Sequence, residues 1–136
     1  MSQVPQKRKI QIVTIAKESL LLLQFAKFYD GGFQNITGSV EKDETFIEAA
    51  ERELFEEIGI KEKLKDINLT FNFLDRWGFM VEEKVYLCDL DAFPSIQLSE
   101  EHQGFKWIPL KEVLRKDFVF PTNFDAFKRA LDFKYA

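Results

Sequence analysis

The sequence predicts an α/β fold in which helices cover both faces of one mixed sheet. Strand-like runs stand before and after one well-marked amphipathic helix, and a second helix follows near the end of the sequence. Hydrophobic residues make up 46% and charged residues 31%, a balance that allows a packed core and argues against wholesale disorder. The length of 136 residues is that of one domain, and no repeat, low-complexity tract or linker divides residues 1–136.

Each element follows from local signals. Residues 1–7 read as a loose arm. The β-branched run KIQIVTIAK (9–17) and the apolar run SLLLLQFAKF (19–28) read as strands, although periodicity alone does not separate the second from a helix. Asp30, Gly31 and Gly32 are turn signals, and the segment after them, ITGSVEKDE (36–44), reads as irregular. A helix from about Thr45 to Ile58 is well marked. Asp43 or Thr45 can cap its start, Thr45 and Glu48 have capping-box spacing, Ile47, Ala50, Leu54 and Ile58 form an apolar face, and Gly59 suits a C-terminal cap. DINLTFNFLDRWGF (66–79) and EEKVYLCDLDAF (82–93) read as a hairpin turning near Gly78. FKWIPL (105–110) reads as a short strand, KEVLRK (111–116) as a short helix, and PTNFDAFKRALDF (121–133) as a helix with Pro121 near its start.

Net charge excludes some functions. With 19 basic and 23 acidic residues the balance is −4, so no basic stripe is present to bind a phosphate backbone, and DNA is not an expected partner. An anionic substrate would need another source of attraction, of which a bound metal is the obvious one. The single cysteine, Cys88, permits no intrachain disulfide and lies in the apolar run VYLCDL, where an inert strand residue is the expectation. No leader-like apolar segment follows the basic N-terminal residues, and no apolar run reaches the roughly 18 residues that span a bilayer. A soluble cytoplasmic protein without membrane partners is the expectation.

The stretch GSVEKDETFIEAAERELFEEIGI (38–60) carries the chemistry. On a helix Glu53, Glu56 and Glu57 lie within about 100° of arc, crowd like charges, and sit near the end where the macrodipole disfavours anions. A divalent cation would relieve both strains, and a hard cation such as Mg²⁺ takes oxygen ligands from carboxylates, water and substrate phosphates. Taken alone, such a cluster also reads as a solvated helix face.

The wider spacing decides between these. Gly38, Glu44 and the run Arg52-Glu53-Leu54-Phe55-Glu56-Glu57-Ile58-Gly59-Ile60 match the Nudix box, G-x5-E-x7-R-E-U-x-E-E-x-G-U with U apolar, at all nine fixed positions. The chain resembles the Nudix hydrolases over essentially its whole length. That resemblance implies an α/β/α sandwich with a mixed sheet, and Mg²⁺- or Mn²⁺-dependent hydrolysis of a diphosphate linked to another moiety. It implies Glu53, Glu56 and Glu57 as metal ligands, with the Gly38 carbonyl. Arg52 would orient a glutamate of the site, with Glu44 in support. The general base stays open between Glu53, Glu57 and a residue outside the box. Such cations neutralise pyrophosphate charge and make the water they hold more acidic.

Substrate is set outside the box. FQNITGSVE (33–41), EHQGFKW (101–107) and FPTNFDAF (120–127) resemble segments of the bacterial dihydroneopterin triphosphate pyrophosphatases, with Phe33 in place of Trp and a shorter stretch before Glu101. That likeness implies Glu101 as a further metal ligand or base, and a small-molecule phosphoanhydride substrate: pterin triphosphate, a (deoxy)nucleoside triphosphate, or else a dinucleotide polyphosphate, nucleotide sugar or RNA 5′ end. Homodimers are common among such relatives, though no residue here argues for one. Two other classes compete, a Nudix-fold module that binds without cleaving and an interaction protein that uses cations structurally. The intact box favours the enzyme.

Several residues carry two readings. Phe33, Gln34 and Asn123 are candidates for the ring pocket, with a helix-capping role slightly favoured for Asn123. Arg8, Lys9, Lys27 and Arg76 are candidate phosphate contacts or solvated surface. Trp77 could stack on a ring, but packing in the core or hinge is the expectation, as it is for Trp107. His102, the single histidine, is either a phosphate or proton contact or a structural hydrogen-bonding group.

Overall fold

A computed structural model describes residues 5–25 and 32–136. The Asp30–Gly31 turn, Lys27, and the first residues of the N-terminal arm lie outside them. The described residues form one mixed sheet of seven strands. They are β1 (Lys7–Ala16), β2 (Ser19–Phe25), β3 (Phe33–Gln34), β4 (Ile36–Ser39), β5 (Lys65–Leu74), β6 (Met80–Leu90) and β7 (His102–Pro109). Helix α1 (Phe46–Ile58) and helix α2 (Pro121–Lys134) complete the fold. β1 pairs in parallel with β6 from Lys7–Val81 to Ala16–Leu90, and every other pairing is antiparallel.

β1 is buried on both faces, as a central strand of a covered sheet is. On one face Ile10, Ile12, Leu21, Leu23 and Ile36 pack with Ala49, Ala50, Leu54 and Ile58 of α1. On the other, Val13, Ile15, Leu20, Leu22, Val85 and Leu87 pack with Ala126, Phe127 and Ala130 of α2. The predicted covering of both faces is what the chain adopts. Cys88 is buried, and burial pushes its thiol up to about 12, which makes it inert at neutral pH.

Three segments depart from expectation. ITGSV is not irregular. β2 pairs with β1 only at Ile15 and Ala16, which leaves the Lys9–Ile12 edge for Ile36–Ser39 to fill. Unsatisfied backbone groups there outweigh the weak strand preference of Gly38 and Ser39. KEVLRK is not a helix but two 3₁₀ turns, Leu110–Glu112 and Arg115–Asp117, broken where extended Val113 enters the core. The third is Trp77, which is 63% exposed rather than packed in the core. It sits on the β5–β6 turn, where the Asp75 carboxylate accepts from the Trp77 and Phe79 amides at 2.9 Å. Trp107 packs against the α1-side core.

Candidate active site

Helix α1 begins and ends as its sequence predicts. Thr45 Oγ1 accepts from the Glu48 amide and Glu48 returns the bond, while Gly59 takes the left-handed conformation at φ 77°. The carbonyls at the helix end are then claimed by a passing strap. The Gln97 amide donates to Ile58 O and the Ser99 amide to Glu57 O, which lays residues 97–101 across the helix terminus. That strap delivers Glu101 and His102 to Glu57.

The acidic residues divide into two groups. Arg52 holds the first. Its Nε and Nη2 donate to both oxygens of Glu44 at 2.8 and 2.9 Å, its Nη1 to Glu53 at 2.9 Å and Glu56 at 3.1 Å, and its Nη2 also to Ser39 O. This fork holds the Glu44 carboxyl down at about 2 and pushes the guanidinium further up. In the second group His102 Nε2 lies 2.5 Å from Glu57 Oε2, and Ser99 Oγ donates to the same oxygen at 3.2 Å. Glu57, Glu101 and His102 each offer a ligand atom within 4.8 Å of the others. The Glu57 charge raises the Glu101 carboxyl, with burial adding to it. Glu53 links the groups. It is only 9% exposed, and burial, with the charges of Glu57 and Glu56, lifts its carboxyl to about 7 against the pull of Arg52.

Gly38 is explained by a close approach. A Cβ there would overlap Cδ and Cγ of Glu53 and stand 2.6 Å from its Oε1. Gly38→Ala is therefore expected to displace the carboxylate and lower kcat about 10²-fold with the fold retained, to be read by steady-state kinetics beside circular dichroism.

A cavity of about 510 Å³ opens beside this wall, lined by Lys9, Gln34, Thr37, Glu83, Asn123 and the aromatic side chains of Phe25, Phe73, Trp77 and Phe120. Two contacts join it to the carboxylates. Thr37 lines the cavity while the next residue, Gly38, abuts Glu53. Phe25 lines it while its ring lies 6.2 Å from that of His102.

The NUDIX domain family matches residues 6–129. The chain belongs to the NUDIX family. Its fold is similar to that of the E. coli dihydroneopterin triphosphate pyrophosphohydrolase, with TM-score 0.79 and 26% identity, covering 90% of this chain and 92% of that one. It is also similar to a C. elegans Ap4A hydrolase (TM-score 0.79, 24% identity, 95% and 98% covered). The Nudix domain of Shewanella oneidensis NrtR, solved with ADP ribose, has TM-score 0.77 and 17% identity, with 96% and 89% covered. A Myxococcus xanthus octanoyltransferase is 29% identical over 119 residues, which are 82% of this chain. The chain spans 33% of that relative's length. Among the described residues no helix is long and apolar enough to cross a membrane.

Nudix hydrolases cleave pyrophosphate bonds and as a class use divalent metals. This chain's residues fit such an ion, because Glu57 and Glu101 converge with a ligand atom each within 4.8 Å, and the like charge of Glu57 raises both Glu53 and Glu101. The Nudix residues Glu44, Arg52, Glu53 and Glu56 meet in one hydrogen-bonded group, and Glu57 meets Glu101 in the other. Of the substrate candidates, Gln34, Arg76 and Asn123 line the cavity. Phe33 does not. It packs on the α2-side core with Lys106 Nζ 3.9 Å from its ring centroid. Asn123 does not cap α2, since its Oδ1 accepts from the Asn35 amide at 2.8 Å. Lys9 lines the cavity, whereas Arg8 stacks over Phe46.

Sequence reasoning missed Glu83, Gln11 and Asn35. The signal for Glu83 is parity: Val81, Glu83, Val85 and Leu87 alternate along β6 and all four are buried.

The raised Glu53 carboxyl has a consequence for the metal-free protein. Protonation stabilises the fold, fully below the ordinary value of 4.5, and that contribution is lost as pH rises toward 7. The lowered Glu44 acts oppositely, stabilising above 4.5 and losing effect as pH falls toward 2. Thermal scans in chelator should therefore show a midpoint that declines from pH 4.5 to 7, more shallowly in Glu53→Gln. An unaltered slope in that variant would refute the assignment to Glu53.

Proposed function

We propose that the chain, acting as one domain over residues 1–136, is a Mg²⁺-dependent pyrophosphohydrolase of a ring-bearing triphosphate, either dihydroneopterin triphosphate or a (deoxy)nucleoside triphosphate. The observation that carries this reading is the junction at Thr37 and Gly38, where an aromatic cavity meets the carboxylate wall. A ring seated between aromatic side chains would send its phosphate chain across that edge toward Glu53 and Glu57. The resemblance of NITGSVE, EHQGFKW and FPTNFDAF to pterin triphosphate pyrophosphatases, and the likeness to the E. coli enzyme, support the pterin.

Glu53, Glu56, Glu57 and Glu101 would hold the cation, which supplies neutralisation of pyrophosphate charge and a more acidic water. The all-oxygen carboxylate set favours Mg²⁺, with Mn²⁺ as a substitute. Arg52 fixes Glu53 and Glu44, and His102 with Ser99 fixes the Glu57 carboxylate. Proton acceptance would fall to a carboxylate of this wall, Glu53, Glu57 or Glu101, whichever the cation leaves free. Lys9 and Arg76 line the cavity and would meet phosphate there.

A turnover panel at fixed Mg²⁺ tests this, with dihydroneopterin triphosphate, the standard nucleoside triphosphates, ADP-ribose, diadenosine polyphosphates and a nucleotide sugar. Preference for the pterin with pyrophosphate released is the expected result. Preference for a dinucleotide or nucleotide sugar would overturn the triphosphate assignment, and a folded, Mg²⁺-binding protein without turnover would make it a binding module.

A further inference from the structure

We propose that Glu83, a buried residue lining the aromatic cavity, reads the ring of the substrate by accepting from two adjacent N–H donors, and so selects the 2-amino-4-oxo pyrimidine edge that pterin and guanine share. This deepens the reading above and rests on it for the triphosphate. Glu83 is 5% exposed and lines the cavity together with Phe25, Phe73, Trp77 and Phe120. Its Oε1 accepts from Gln11 Nε2 at 2.9 Å, and Lys9, its register partner on β1, is the cation whose charge acts on it from the same cavity. Oε2 remains for the cavity.

The carboxyl is held from behind by a chain of amides. The Asn123 side chain accepts from the Asn35 amide, Asn35 Nδ2 donates to Gln11 Oε1 at 2.8 Å, and Gln11 donates to Glu83. Every member is nearly inaccessible, with Gln11 and Asn35 at 0% exposure. Such a chain costs several buried polar groups and fixes one acceptor orientation. Parity places Glu83 where an apolar side chain would pack, so the carboxyl brings no stability that a Leu or Val would not. A fixed carboxylate in a cavity lined by aromatic side chains has a specific complement, a planar ring with neighbouring N–H donors. A carboxylate can take a ring N–H and an exocyclic amino group together. Adenine offers an amino group beside a bare ring nitrogen, whose lone pair would face the carboxylate. Hypoxanthine offers the ring N–H without the 2-amino group.

The test compares kcat/KM for GTP, ITP, ATP and dihydroneopterin triphosphate in the full chain and in Glu83→Gln. Calorimetric titration with GMP, IMP and AMP runs in parallel, so that ring selection is read even if no triphosphate is cleaved. The wild type should favour guanine over hypoxanthine, and over adenine, about tenfold or more. Glu83→Gln, isosteric and still able to accept from Gln11, should bring both ratios near one. A purely structural Glu83 would leave the ratios unchanged. Equal treatment of GTP, ITP and ATP by the wild type overturns the proposal without any variant, as does an unchanged ratio in Glu83→Gln. Whichever of pterin and guanine triphosphate has the higher kcat/KM identifies the source of the edge. Failure of turnover with selective GMP binding would refute the hydrolytic reading alone.

Discussion

Glu57→Gln is expected to lower kcat by about 10²–10⁴-fold while leaving the fold intact. The amide keeps an oxygen that can accept from His102 and Ser99, so the strap over the end of α1 stays in place. What disappears is one full negative charge beside Glu53 and Glu101, the charge that a divalent cation would meet. Its loss also removes a like-charge repulsion, because Glu57 raises both of those neighbours. The metal-free variant should therefore melt at or above the wild-type temperature and gain less from added Mg²⁺. Steady-state kinetics with paired thermal scans measure both. A variant that keeps its activity within about tenfold would remove Glu57 from the site.

Arg52→Met carries the largest expected loss of stability. The side chain holds Glu44 through two bonds, and Glu53, Glu56 and Ser39 O through one each. Glu44 and Glu53 keep only 14% and 12% side-chain exposure, so their charges would be left partly buried and unpaired. Arg52 itself is 22% exposed, which screens part of the effect, and about 2–4 kcal/mol is expected. Arg52→Lys should recover little, since an ammonium cannot reproduce the fork across both Glu44 oxygens. Urea unfolding at pH 7 provides the measurement. A loss under about 1 kcal/mol for the Met variant would mean that the fork contributes no more than an exposed pair.

Helix α1 was legible in full because its signals are local. Capping box, apolar stripe and terminal glycine all lie within fifteen residues, as does most of the box that marks the family. The hairpin of β5 and β6 was legible for the same reason. β4 was not, because what makes Ile36–Ser39 a strand is a vacant edge on β1 rather than its own composition. Nor was the burial of Glu53 and Glu57, which the charge pattern places on a polar face and which the strap and β4 cover from outside the helix. Asn123 reads locally as a cap, yet its partner Asn35 lies far away in sequence. Trp77 reads as core by its chemistry, and only the geometry of the Asp75 turn shows that it stands exposed and lines the cavity.

The parallel pairing of β1 with β6 bears on how the molecule comes to exist. β1 is the middle of the sheet, and its partner begins at Met80 and ends at Leu90. A nascent chain therefore carries an Ile-rich central strand with one side unpaired until that late segment has emerged from the ribosome. Contacts of such sequence separation slow folding, because the intervening chain must be ordered before the pairing rewards it. The box and its helix, complete by Ile60, would wait on their scaffold. During that interval the unpaired side of β1 is the segment most exposed to mispairing with another chain, a hazard of synthesis that the finished sheet conceals.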